Sequence, residues 1–130
     1  MAAVYLDSSA IVKLAVHEPE SEALRRHLRR GRPWLSSALA RTEVLRAVWP
    51  AGEDALAAGR RVLARCDLVR LNDRVLDRAG AMEPETLRSL DAIHLATAER
   101  LGDDLGGLVT YDGRLAHAAR RLGLRVSSPA

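Results

Sequence analysis

Four carboxylates stand where apolar runs end or where helical patterns begin. Val4-Tyr5-Leu6-Asp7 and Val109-Thr110-Tyr111-Asp112 each carry a short, largely apolar stretch into an aspartate. Glu43 stands in Leu39-Ala40-Arg41-Thr42-Glu43-Val44-Leu45-Arg46-Ala47, where four-residue spacing puts it on one helical stripe with Leu39 and Ala47. Asp91, in Ser89-Leu90-Asp91-Ala92-Ile93-His94-Leu95-Ala96-Thr97-Ala98, stacks in the same way with Leu95 and Ala98. An acid framed by apolar neighbours on its own stripe is expected to point inward, and a buried carboxylate needs a partner. Each has an ordinary explanation taken singly. Asp7 and Asp112 are good N-caps, Glu43 could be half of a salt bridge, and Asp91 suits the first turn of a helix. Capping and chemistry are compatible.

Taken together, the four acids ask for more. Carboxylates gathered at one edge repel one another and shift toward the protonated form. A hard divalent cation relieves that repulsion and prefers oxygen ligands, so the expected cofactor is Mg²⁺ or Mn²⁺. Mg²⁺ usually leaves part of its shell to water and substrate phosphate, which makes phosphate chemistry the prediction. One or two such ions would polarise phosphoryl oxygens, generate hydroxide from water and stabilise the leaving oxygen. Ser9 and Thr110 could hydrogen-bond a coordinated water or a carboxylate; capping and strand packing are their alternative uses.

Competing chemistries find little support. No His-Glu-x-x-His zinc signature occurs, and the lone Cys66 cannot build a thiolate site. Asp7-Ser8-Ser9-Ala10 has none of the glycines of a phosphate-cradling loop. The four histidines, at 17, 27, 94 and 117, show no pairing suited to metal-free acid–base cleavage. His94 follows Asp91 by three residues and could reach the site, but it reads as a satisfied structural histidine.

Helices and short strands must position these groups. Ala3 to Leu6 reads as a strand, with Ser8 or Ser9 capping a helix through Val16. Pro19 opens a second helix to about Arg30, and Gly31 stops it. Pro33 to Ser36 is the second strand, and Ser36 or Ser37 caps a helix to about Trp49, ended by Pro50. Glu53 to Cys66 is helical, Leu68 to Leu71 extended, and Asp73 to Met82 and Leu90 to Leu101 helical. Leu108 to Tyr111 is the fourth strand, Gly113 to Leu122 a helix with Gly123 as its C-terminal stop, and Leu124 to Ser127 the last strand. This alternation implies an α/β fold, a mainly parallel sheet with helices on both faces. Right-handed crossovers place all strand C-termini along one edge, where ligands bind near the topological switch point.

The 130 residues suit one domain, and 48% hydrophobic composition supplies a core of Leu, Ala and Val, since Phe is absent. A single cysteine cannot close an internal disulfide, which fits a reducing cytoplasm. Cys66 itself reads as a small buried hydrophobe. No run reaches the length of a membrane span, and Met1 to Asp7 lacks the pattern of a secretory signal. Net charge is +3, and 19 of the 20 basic residues are Arg. Arg's planar fork suits phosphate, although a genome-wide preference for Arg would give the same count.

At the quoted residues the chain resembles PIN-domain ribonucleases of the VapC toxin type. The resemblance rests on Tyr5-Leu6-Asp7-Ser8-Ser9-Ala10-Ile11-Val12-Lys13-Leu14, Thr42-Glu43-Val44, the stretch Leu90 to Ala98, and Thr110-Tyr111-Asp112-Gly113-Arg114-Leu115 with Leu122-Gly123-Leu124. It covers nearly the whole chain and implies a single PIN domain over residues 1–130. It implies a three-layer α/β/α fold with a central five-stranded parallel sheet, and Mg²⁺- or Mn²⁺-dependent hydrolysis of RNA. The family's four acids fall on Asp7, Glu43, Asp91 and Asp112, and its Ser/Thr beside the last acid falls on Thr110. A homodimer and a cognate antitoxin covering the acidic groove are implied as well. Gly106-Gly107, before the expected fourth strand, reads as loop variation.

An acidic site repels RNA, so basic groups must flank it. Candidates are Arg25, Arg26, Arg29, Arg30 and Arg32, then Arg60, Arg61 and Arg65, and Arg114, Arg120 and Arg121, of which Arg114 is favoured by its closeness to Asp112. No interleaved aromatics offer a stacking platform. Two rival functions stay open. One is a non-catalytic partner-binding module using apolar rim residues such as Leu14, Val16 and Trp49. The other is a metal-dependent phosphatase, whose usual motif would place an Asp where Ser9 stands.

Overall fold

The computed structural model describes residues 2–130. Strand β1 (Ala3–Leu6) is buried along its whole length, as a strand covered on both faces must be. Its side chains alternate between two cores. Val4 and Leu6 join Ala10, Ile11, Leu24, Val44 and Leu63, while Tyr5 joins Val75, Leu95, Leu108 and Leu115. The first core lies under α1 (Ser8–Ala15), α2 (Ser21–His27), α3 (Ala40–Val48) and α4 (Glu53–Arg65). The second lies under α5 (Asp73–Gly80), α6 (Ser89–Glu99) and α7 (Gly113–Arg121).

The remaining strands are β2 (Trp34–Ser37), β3 (Asp67–Val69), β4 (Leu105–Val109) and β5 (Val126–Ser127). All neighbours pair in parallel, in the order β3-β2-β1-β4-β5. The three-layer sheet expected from the sequence is therefore present, and the order reverses between β1 and β4. That gap is the switch point, and Asp7 and Thr110 flank it directly.

Several boundaries differ from the sequence reading. Asp7, not Ser8 or Ser9, caps α1, its carboxylate accepting from the Ala10 amide at 3.0 Å. Neither Ser36 nor Ser37 caps α3. The Ala38 amide still donates to the Val69 carbonyl of the neighbouring strand, so the chain needs one further turn before helix geometry begins at Ala40. Ser37 instead receives the Leu39 amide at 3.1 Å. Gly106-Gly107 is not a loop but lies inside β4. Ala3 pairs with Leu105 and Val4 with Gly107, so Gly106 is the extra residue of a bulge. A Cβ there would stand 3.2 Å from the Ala3 carbonyl oxygen and 2.9 Å from the Arg32 guanidinium.

Two helix stops behave as expected. Gly31 takes φ 73° after a 3₁₀ turn at Leu28–Arg30. Gly123 takes φ 81°, with Gly123 N–H bonded to Arg120 O and Leu124 N–H to Ala119 O, the paired bonds of a Schellman stop. Helix α6 is buried on nearly every side, and Arg78 of α5 clamps its end through a two-pronged bond to Glu99 at 2.7 and 2.9 Å.

Candidate active site

Asp7 leaves β1 and enters α1 at 4% exposure. Its Oδ1 accepts from Ser9 Oγ at 2.6 Å and from the Ala10 amide, and its Oδ2 accepts from Thr110 Oγ1 at 2.5 Å. A carboxylate oxygen accepts two bonds, so Oδ1 is filled and Oδ2 keeps one direction open. Burial pushes the Asp7 carboxyl above its ordinary range, with the Ser9 and Thr110 hydroxyls opposing the shift. Thr110 does double duty, because its Oγ1 also receives the Asp112 amide at 3.0 Å. Ser9 Oγ likewise receives the Tyr111 amide at 2.9 Å. The two supporting hydroxyls thus tie the ends of β1 and β4 together through the Asp7 carboxylate.

Asp112 follows β4 and caps α7, its Oδ1 accepting from the Arg114 and Leu115 amides. Its Oδ2 receives Arg88 Nη2 at 2.7 Å. The same guanidinium donates from Nε to Asp91 Oδ2 at 3.1 Å. Asp91 lies in the first turn of α6, and burial followed by the Asp112 charge raises its carboxyl above the ordinary range, against the pull of Arg88.

Glu43, in the first turn of α3, reaches the same edge by a polar relay. His94 Nε2 lies 2.6 Å from Glu43 Oε1, and His94 Nδ1 lies 2.7 Å from the Tyr5 hydroxyl. Burial holds the Tyr5 phenol far above its ordinary value, so its hydroxyl keeps its proton beside Nδ1, and the Glu43 carboxylate, which can only accept, takes its bond from Nε2. Ser8 Oγ adds a second donor to Glu43 at 2.5 Å. Burial alone would raise the Glu43 carboxyl, but the bonds from His94 and Ser8 outweigh it and hold Glu43 below its usual range. His94 is therefore the satisfied buried histidine the sequence indicated, and it also positions Glu43.

All four predicted acids reach the C-terminal edge of the sheet. A cleft of about 330 Å³ runs between Glu43, Arg88, Ser89, Leu90 and Asp91. The donors are hard oxygens, and a cation, Arg88, already stands among them, so the residues suit Mg²⁺ or Mn²⁺ in kind. Among the described residues, no three His, Cys, Asp or Glu side chains are gathered tightly enough to hold a metal ion.

The basic flank differs from the expected one. Arg30 and Arg32 line a small cavity with Val4, His27 and Leu28, and Arg32 meets Gly106 at the start of β4, at the opposite edge from the acids. Arg65 lies over the Trp34 ring at 4.2 Å. Arg114 does border a cleft, of about 590 Å³, with Pro84, Thr86, Leu87, Gly113 and His117. On the Glu43 side, Arg41 borders two adjoining clefts, one with Arg60 and one with Arg70. Arg41, Arg70 and Arg88 were not among the residues singled out from sequence. Arg88 alone left a trace, its spacing of three from Asp91.

A model of the PIN domain family matches residues 4–121, and the chain belongs to that family. It is 64% identical to "Ribonuclease VapC46" of Mycobacterium tuberculosis over 99% of both chains. Among solved structures, VapC20 of Mycobacterium tuberculosis, described as a Sarcin-Ricin loop cleaving toxin, shares the fold. Its TM-score is 0.75 at 14% identity, covering 88% of this chain and 94% of that one. A toxin–antitoxin complex from Klebsiella pneumoniae superposes with TM-score 0.71 at 18% identity over 98% of both chains.

Proposed function

We propose that this chain is a divalent-metal-dependent endoribonuclease, the toxin of a toxin–antitoxin pair, cutting at the edge where Asp7, Glu43, Asp91 and Asp112 meet. The observation that carries the reading is the convergence of four acids, each from a helix cap or first turn, at the switch point of a PIN fold. The close relation to a ribonuclease supports the same substrate class. Mg²⁺ or Mn²⁺, when bound, supplies charge neutralisation at the phosphate and an activated water. The open direction of Asp7 Oδ2, with Asp91, Asp112 and Glu43, would hold the ion.

The protein's own contribution is placement. Ser9 and Thr110 fix the Asp7 carboxylate, and the Tyr5–His94 relay with Ser8 keeps Glu43 ionised and oriented. Arg114, on the Asp112 side, and Arg41 with Arg70, on the Glu43 side, are placed to take phosphates of the strand. Attack by water in line with the leaving oxygen gives a 5′-phosphate and a 3′-hydroxyl. The setting proposed is the cytoplasm, as a homodimer covered by a cognate antitoxin when inactive. Among the described residues, no helix is long and apolar enough to cross a membrane. A purely partner-binding module has less behind it: of Leu14, Val16 and Trp49, only Trp49 is exposed, at 63%.

Purified protein incubated with total RNA should cleave it with Mg²⁺ or Mn²⁺, and lose that activity with EDTA and in Asp7→Asn and Asp91→Asn. Products ending in 2′,3′-cyclic phosphate would sink the reading, because they arise from attack by the RNA 2′-hydroxyl.

A further inference from the structure

Arg88 occupies an unusual position. It is the N-cap residue of α6, in extended backbone at φ −65° and ψ 149°, and its cap role uses no side-chain bond. Its guanidinium is instead spent on carboxylates, at 3.1 Å from Asp91 and 2.7 Å from Asp112, while its charge also acts on Glu43. Three of the four acids thus share one monovalent cation. Arg41, Arg70 and Arg114 form no ion pair among the described residues, so the bridging is particular to Arg88.

We infer that Arg88 is the resident counter-cation of the Asp91–Asp112 pair, and that a divalent ion binds there only by displacing its guanidinium. The inference rests on the metal-dependent reading above. A divalent ion held at this edge would draw on the same two carboxylates, and two positive centres cannot share them without strong repulsion. The arginine can leave because its side chain is 64% exposed, so its end of both ion pairs faces water while the carboxylates, at 13% and 22%, stay in place. A divalent ion offers twice the charge at a single point to hard oxygens. With no ion bound, Arg88 keeps neighbouring carboxylates from repelling one another. Arg88 is accordingly a positioning residue that sets the metal affinity.

Titration of the purified wild-type chain with Mn²⁺ alone, followed by calorimetry, tests this beside Arg88→Met, Arg88→Lys and Asp91→Asn. Arg88→Met should bind Mn²⁺ about three- to tenfold more tightly, the range that two exposed ion pairs represent. Arg88→Lys, which keeps the charge but loses the fork, should fall between it and wild type. Thermal unfolding supplies the second readout. In EDTA, Arg88→Met should melt below wild type, and saturating Mn²⁺ should raise its melting temperature by more than it raises that of wild type. Equal or weaker Mn²⁺ binding by Arg88→Met, with wild type binding normally, overturns the inference and leaves the metal reading standing. No Mn²⁺ binding by wild type, unchanged in Asp91→Asn, overturns both.

Discussion

Asp7 is buried with every hydrogen-bonding direction but one filled by its own protein, whereas the Oδ2 atoms of Asp91 and Asp112 lean on a single exposed arginine. The first end is set by the fold. Its partners are Thr110 at the end of β4 and the Ser9 hydroxyl and Ala10 amide in the first turn of α1, which cannot move without disturbing the sheet or that helix. The second end is set by a side chain that can swing away at small cost. On the proposed reading, a site built this way would have one carboxylate that defines where chemistry happens and a pair that can exchange what it holds. Glu43 belongs to the fixed end, because its orientation runs through buried His94 to buried Tyr5.

The sharpest way to break the comparison is to substitute both ends without changing shape. Asp7→Asn and Asp91→Asn should each lower RNA cleavage by on the order of 10²-fold or more, since even groups that only support metal ligands are worth about 10- to 100-fold. They should part company in stability. Burial favours the neutral Asp7 carboxyl in the folded chain, so its contribution is fully present below the ordinary value of 3.8 and is lost as pH rises through the raised native one. Asp7→Asn should therefore be more stable than wild type at neutral pH, by roughly 0.5–2 kcal/mol, with the gap closing as pH falls toward 4. Chemical denaturation at several pH values checks this, and a gap that ignores pH would contradict the buried-charge account.

Thr110→Val keeps volume but removes the donor to Asp7 Oδ2 and the acceptor of the Asp112 amide. Cleavage should drop about 10- to 100-fold, and stability by about 1–3 kcal/mol. Unchanged cleavage would mean that the Asp7 carboxylate is held well enough by Ser9 and Ala10. Tyr5→Phe leaves His94 Nδ1 buried without its partner, at a cost of about 1–3 kcal/mol in a urea melt. Cleavage should fall by less than about tenfold, because Tyr5 reaches Glu43 only through the imidazole. Gly106→Ala, at the far edge of the sheet, should cost about 1–3 kcal/mol and leave the specific activity of folded protein unaltered. Lost activity there would show that the β1–β4 register sets the site more directly than the local hydrogen bonds do.

Much of this molecule was legible in its sequence, for identifiable reasons. The four acids could be read because each sits at a boundary that sequence marks well, the end of an apolar run or the start of a helical stripe. The order of strands and helices followed from the same punctuation. What escaped depends on contacts between distant segments. Asp91 and Asp112 lie on separate elements, so nothing local shows that Arg88 bridges them. Arg65 looked available for phosphate, and only the fold reveals its ring partner, Trp34. Gly106-Gly107 looked like a loop because glycine weakens strands, and the bulge that requires a residue without Cβ is a property of two paired strands. Ser36 and Ser37 looked like caps, but the sheet claims the backbone for one more residue first.

Asp7 and Asp112 cap α1 and α7, while Glu43 and Asp91 lie in the first turns of α3 and α6. Four helix N-termini therefore face one edge, and their partial positive charges offset much of the carboxylate charge before any ion arrives. The same field works against a metal ion, so on the proposed reading four acids here would hold one less firmly than their number implies. Phosphate oxygens are drawn to those helix ends. On that reading, ion and nucleic-acid strand would fit the edge better as a pair than either does alone, and occupancy of the site would rise and fall with the supply of both.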